Sequence, residues 1–175
     1  MEKKAVSISV QNIWELGLNI LLPVFAFSIP FLLSGPQLLT GTVVNTLLYV
    51  ASAKQISRKN LYLISLFPSL GAVSNGIIFG RFTPYLLFFT PSIWLGNMVL
   101  ILSFQKFKSS LTYPFSIIFP SILKTSVLYL SALIFTKIHL VPPIFISSMG
   151  AVQLITSLMG GTFAFMLFKT AKRKI

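Results

Sequence analysis

The chain has 175 residues, of which 55% are apolar and only 9% charged, with a formal net charge of +12 and no cysteine. That balance is far from a soluble domain and leaves room for about six membrane spans of twenty residues and little else. It excludes disulfides, thiol catalysis and thiolate metal sites. The excess positive charge suggests topology and anionic headgroups before nucleic acid, because the basic residues sit in short loops beside apolar runs.

Six apolar segments follow in order, at 12–33, 38–53, 61–79, 84–104, 114–136 and 143–168. Lys3 and Lys4 precede the first, Lys54, Arg58 and Lys59 follow the second, and Lys106 and Lys108 follow the fourth. Lys169, Lys172, Arg173 and Lys174 come after the sixth. The alternate loops hold only Arg81 and Lys137. Lysine and arginine are retained on the cytoplasmic side, so this asymmetry predicts an all-α polytopic membrane protein of six helices with both termini cytoplasmic. The whole chain, 1–175, reads as one transmembrane domain. Met1-Glu2-Lys3-Lys4 looks like the charged start of a signal peptide. No small-residue cleavage site follows, and Trp14 and Glu15 interrupt the apolar run, so the segment reads as a retained first helix.

The first segment contains Pro23 and Pro30 and breaks at Ser34-Gly35-Pro36. The second starts at once with Gln37-Leu38-Leu39-Thr40-Gly41-Thr42, a stretch too polar to face lipid, which suits a cavity mouth or a helix contact. Pro68-Ser69-Leu70, Pro91-Ser92-Ile93 and Pro120-Ser121-Ile122 recur about seven residues into the next three segments. They are ordinary proline-containing spans or a set of kinks bowing three helices around a cavity. Small residues at Ala72 and Gly76, at Gly96, and at Ser157 and Gly160 mark close helix contacts, within the chain or with a partner.

The only acids are Glu2 and Glu15, and the one histidine is His139, so neither a carboxylate pair nor a metal-binding cluster can be assembled. Catalytic residues, metal ligands and cofactors are therefore expected to be absent, and the chain is read as no enzyme. Carriers driven by protons or sodium usually keep an intramembrane acid or histidine, so any transport must draw its energy from elsewhere. Counting inward at about 1.5 Å per residue puts Asn45 and Asn75 in the outer half and Lys124 and Gln153 near the middle. Trp94 falls mid-span, with Asn97 one turn deeper. Asn45, Asn75, Trp94, Lys124 and Gln153 form a candidate substrate site for a small polar or anionic ligand, with amides to read its edges and an indole to stack on a ring. Gln37, Thr40 and Arg81 are candidate gate residues. The alternatives are interhelical hydrogen bonds for the asparagines, packing for Asn97, lipid contact for Trp94 and a solvated loop charge for Arg81. Lys124 costs about 2.5–3.5 kcal/mol at mid-span, and no acid lies within the helices to pair with it.

Taken together, the length, six segments, short first outer loop and many prolines and glycines resemble the substrate-binding S component of an energy-coupling factor vitamin transporter. Gly35-Pro36-Gln37-Leu38-Leu39-Thr40-Gly41-Thr42-Val43-Val44-Asn45 and Pro91-Ser92-Ile93-Trp94-Leu95-Gly96-Asn97 look like stretches of unassigned S-component-like proteins. The resemblance implies capture of a micronutrient at the outer face of a prokaryotic plasma membrane, with the first outer loop as a lid. Delivery would follow by toppling on a membrane coupling (T) subunit driven by two cytoplasmic ATPases, the multi-pass chain having no nucleic-acid partner. The family often docks through an Ala-x-x-x-Ala face on helix 1. Here Gly17 to Ala26 lacks that pair, so docking would use Gly17 or another face. Absence of acids disfavours a cationic substrate such as thiamine, and absence of a histidine cluster disfavours cobalt or nickel. Lys124 favours a carboxylate or phosphate. The competing class is a non-transporting scaffold or accessory subunit whose polar residues hold helices together. A membrane-embedded enzyme would need a nucleophile and base that the sequence does not supply.

Overall fold

A computed structural model describes residues 2–33, 36–54, 56–76 and 80–172, with side chains from Gly17 to Thr170 within those ranges. Among them the secondary structure is entirely helical: α1 (Glu2–Leu32), α2 (Gln37–Ala53), α3 (Arg58–Asn75), a 3-10 segment (Gly80–Tyr85), α4 (Leu86–Phe107), α5 (Tyr113–Lys137), α6 (Ile144–Met149) and α7 (Ala151–Lys172). Three stretches, Gly80–Phe107, Tyr113–Lys137 and Ile144–Thr170, are long and apolar enough to cross a membrane. Gly17–Leu32 is a shorter apolar helix. Large aliphatic side chains point outward, among them Leu130 at 57% and Ile134 at 58% exposure. An apolar exterior is costly in water and compatible with a bilayer.

Two boundaries differ from the sequence reading for identifiable reasons. The third segment stops at Asn75, not 79, because Gly76 takes φ +74 and its N–H returns to Val73 O at 3.2 Å, a left-handed helix end. The sixth segment is two helices divided at Gly150. Gly150 leaves the helical backbone region (φ −96, ψ −101), and a Cβ there would lie 2.7 Å from Ile146 O and 2.9 Å from the Tyr129 ring, so glycine fits where a larger residue would not. The polar start of α2 is regular helix from Gln37 onward; Gly35 lies outside the described residues. Pro23, Pro30, Pro68, Pro91 and Pro120 all lie inside helices.

The long helices close a ring in the order α1, α3, α4, α5, α7, α2, with α2 also touching α4 across it. Hydrogen bonds fix how the ends align. Asn60 Nδ2 donates to Asn19 O at 2.8 Å near the start of α3, and Asn75 Nδ2 donates to Phe31 O at 2.6 Å at its end, so α1 and α3 run parallel. Lys108 Nζ reaches Ser52 O at 3.3 Å, bringing the C-terminal ends of α2 and α4 together. Gln37 Nε2 donates to Ser148 O at 3.2 Å at the opposite end.

Two apolar clusters fill the ring. Leu22, Leu48, Tyr49, Ile64, Leu100 and Phe104 form one, with Tyr49 edge-on to Phe104 at 5.0 Å. Leu86, Phe89, Leu128, Phe145 and Met149 form the other, where Phe89 stacks on Phe145 at 5.0 Å. Hydroxyls that cannot reach water return to their own helix, as Ser52 to Leu48 O (2.6 Å) and Ser69 to Leu66 O (2.7 Å).

Candidate functional site

A cavity of about 80 Å³ lies between the two clusters, and every helix from α1 to α7 contributes to its wall. Its apolar side includes Pro30, Val44, Pro68, Leu86, Ile93 and Met149; its polar side includes Gln37, Thr40, Asn45, Asn97, Lys124 and Gln153. Of the three Pro-Ser repeats, only Pro68-Ser69 lines it. The space exceeds by several-fold what one water needs, and is about half that of an engineered protein cavity that admits benzene.

Lys124 is the centre of the polar side. It is 2% exposed, and its Nζ donates to Asn45 Oδ1 at 2.6 Å. Asn45 Nδ2 in turn donates to Thr156 Oγ1 at 3.2 Å, and the Thr156 hydroxyl donates to Gln153 O at 3.1 Å. Close helix approaches at two glycines surround this arrangement. At Gly96 α4 lies against the lysine stem, although a Cβ there, 3.4 Å from Lys124 Cγ, would make only an ordinary contact. A Cβ on Gly160 would sit 2.6 Å from Asn45 Cβ, so α7 presses directly on α2 at the asparagine. An ammonium has three N–H donors, and one is engaged by Asn45.

Two other lining residues, Asn97 and Thr40, each hold a buried polar atom without a partner. Asn97 Nδ2 donates to Ser65 O at 2.8 Å, tying α4 to α3, while Asn97 Oδ1 is buried with no partner. Thr40 Oγ1 is likewise buried with no partner. Nearer the opposite end, Tyr49 Oη, Ser121 Oγ and Ser157 Oγ form a second buried cluster with separations of 2.9 and 2.8 Å. It is internally satisfied and lines no part of the cavity.

The residues expected at the site therefore divide. Asn45, Lys124, Gln153, Gln37 and Thr40 all line the cavity. Asn75 does not: it holds the end of α1 through Phe31 O. Trp94 is 40% exposed and outside the lining, because one residue turns the helix by about 100° from Ile93, which does face the cavity. Arg81 lies outside it too, over the Phe82 ring at 4.9 Å from the centroid. Asn97, which read as packing, is both a packing residue and part of the wall. The signal was its place one helical turn from Ile93, which shows only once the face is known.

Chemically, the wall supplies one cation, amide and hydroxyl dipoles and an apolar body, with no carboxylate or imidazole among the lining residues. No group of three or more metal-ligating side chains occurs among the described residues. Such a wall suits binding of an amphipathic solute. Comparison with protein-family models, with curated proteins and with solved structures gives no match.

Proposed function

We propose that the chain is the solute-capture subunit of an energy-coupling factor type importer in a prokaryotic plasma membrane. It crosses the bilayer six times with both termini cytoplasmic. It binds a small polar or anionic micronutrient in the cavity around Lys124. The observation that carries this reading is a fully buried lysine on a cavity wall that holds no acid. A charge so placed is expensive unless something polar or anionic meets it. The ends that hold Lys54, Lys106 and Lys108 come together, as a shared cytoplasmic side requires, and Gln37 and Ser148 meet at the other side. The cavity then belongs to the outer half, with Gln37 and Thr40 at the entrance. No acid lines the cavity to hold a coupling ion, so a membrane coupling subunit and two cytoplasmic ATPases supply the energy.

Native mass spectrometry of the gently extracted full chain tests this. The expected result is a discrete small-molecule adduct, lost in Lys124→Met, with the coupling subunit and ATPases recovered at low detergent. A second reading has one observation in its favour: Asn45, Asn60 and Asn75 are all engaged between helices. On that reading the chain is an accessory scaffold. It predicts an adduct-free chain that repeatedly retains another membrane protein without ATPases.

A further inference from the structure

The outer faces of α3 and α4 carry matching patterns that the cavity does not use. On α3, Lys59, Leu63, Leu66 and Leu70 follow at four- and three-residue steps, so they share one face. On α4, Lys106, Leu102, Val99 and Leu95 repeat the same steps in the reverse direction. Leu66 and Val99 are half-buried, and the others are exposed. The two helices pack side by side, and Asn97 Nδ2 donates to Ser65 O across the contact at 2.8 Å. α4 ends where α3 begins, because Lys108 reaches the last carbonyls of α2 just before the chain enters α3. Counted from the Asn97–Ser65 bond at 1.5 Å per residue, Lys59 lies about 9 Å and Lys106 about 14 Å toward that end. Long, flexible lysine stems span the difference. Each stripe extends about 16 Å from its lysine, half the thickness of a hydrocarbon core of about 30 Å. Arg58 adds a third exposed cation at this end. Among the described residues neither lysine side chain is engaged in a hydrogen bond or ion pair, and the chain's two acids, Glu2 and Glu15, both belong to α1.

We propose that this face holds an anionic phospholipid of the leaflet at the basic end. Its phosphate sits between Lys59 and Lys106, and its acyl chains lie along the two leucine stripes. The pattern selects that occupant on both counts. A free phosphate ester would satisfy the cations and leave the stripes unmet, while a zwitterionic lipid would bring its own cation to a site that holds no acid among the described side chains. The proposal goes beyond solute capture and depends only on the chain spanning a bilayer.

The test is native mass spectrometry of the purified full chain in detergent, titrated with phosphatidylglycerol or phosphatidylcholine of identical acyl chains. Phosphatidylglycerol should be retained as a one-lipid adduct about tenfold more strongly than phosphatidylcholine. Lys59→Gln and Lys106→Gln should each weaken that adduct about fivefold, and together remove the preference. Both side chains are exposed, so the variants should keep the circular dichroism of the wild type. Arg81→Gln with Lys137→Gln makes the same change of charge in the opposite loops and should leave the preference unchanged. Excess glycerol phosphate, the headgroup without its chains, should not displace the lipid. Equal retention of the two lipids, displacement by glycerol phosphate alone, or equal weakening by the Arg81 and Lys137 changes would overturn the proposal. A lipid adduct and a solute adduct differ in mass and in their dependence on Lys124, so the capture reading stands or falls separately.

Discussion

Gly160→Ala probes the contact on which the site's geometry depends. The added Cβ would lie 2.6 Å from Asn45 Cβ, 2.8 Å from Thr46 N and 2.9 Å from Asn45 C. Two of those atoms are backbone, so no side-chain rotation relieves the clash. Carbon atoms pack at about 3.5–4.0 Å, so α7 must retreat from α2 by about 1 Å. The Asn45 Nδ2–Thr156 Oγ1 bond, already 3.2 Å, then passes beyond hydrogen-bonding range. Overpacking costs about 1–3 kcal/mol, and an interhelical bond in a bilayer adds about 0.6 kcal/mol. Gly17→Ala is the control, since a Cβ there meets nothing within 4 Å. Graded SDS denaturation of the protein in mixed micelles, followed by circular dichroism, measures both. The expected outcome is an earlier transition for Gly160→Ala and an unchanged or later one for Gly17→Ala. Coincident transitions for Gly160→Ala and wild type would refute the close α2–α7 approach at Asn45.

The Lys124–Asn45 pair predicts an asymmetry. Asn45→Leu strands a buried ammonium and should cost about 3–5 kcal/mol, whereas Lys124→Met removes the charge and leaves only the neutral Asn45 Oδ1 unmet, a smaller cost of about 1–3 kcal/mol. The double variant Asn45→Leu with Lys124→Met should recover most of the loss in the same titration; simple additivity of the two changes would contradict the pairing. Asn75→Ala removes the 2.6 Å bond to Phe31 O, so it should lower stability by about 1 kcal/mol while leaving adduct retention in native mass spectra unchanged. Lys108→Ala removes a cation from the last carbonyls of α2, at 3.3 and 3.4 Å, and should cost about 0.3–1 kcal/mol, an effect that shrinks as salt is raised.

The parts of the site legible in the sequence are those set by depth and by cost. Lys124 stands out because a charge inside an apolar run has few tolerable surroundings. Gln37 and Thr40 stand out because they begin a helix at a level where lipid is unsuitable. What sequence position leaves open is the face. Trp94 and Asn97 are less than one helical turn apart, yet one points outward and the other lines the cavity. Hydropathy along this stretch is high on all sides, so no amphipathic pattern announces which side turns inward. Asn45 and Asn75 were equivalent in the same way, both amides in the outer half. Only the neighbours of α2 and of α3 separate a cavity amide from a helix tie. The helix boundary followed local chemistry where glycine ended α3; at Gly150 the space for a side chain is taken both by the local Ile146 carbonyl and by the Tyr129 ring, a neighbour distant in sequence.

The same contacts indicate where a solute could enter. Below the cavity the helices are locked at short range. Gly160 lies against the α2 backbone, a Cβ on Gly161 would strike Ile117, and Tyr49 joins Ser121 and Ile117 O with Ser157 one step further. Separating those helices would expose a satisfied polar cluster and break close packing together, which makes that route the costly one. At the opposite end, α2 is tied to the short helix α6 through Gln37 and Ser148 at 3.2 Å. Gly150 already interrupts the chain behind α6. Moving α6 and the start of α2 apart would uncover Thr40, Gln153 and Lys124 without disturbing the lower cluster. Access from the Gln37 end therefore has the smaller mechanical cost. It is also the side that the proposed topology places outside, where the proposed capture role requires an opening.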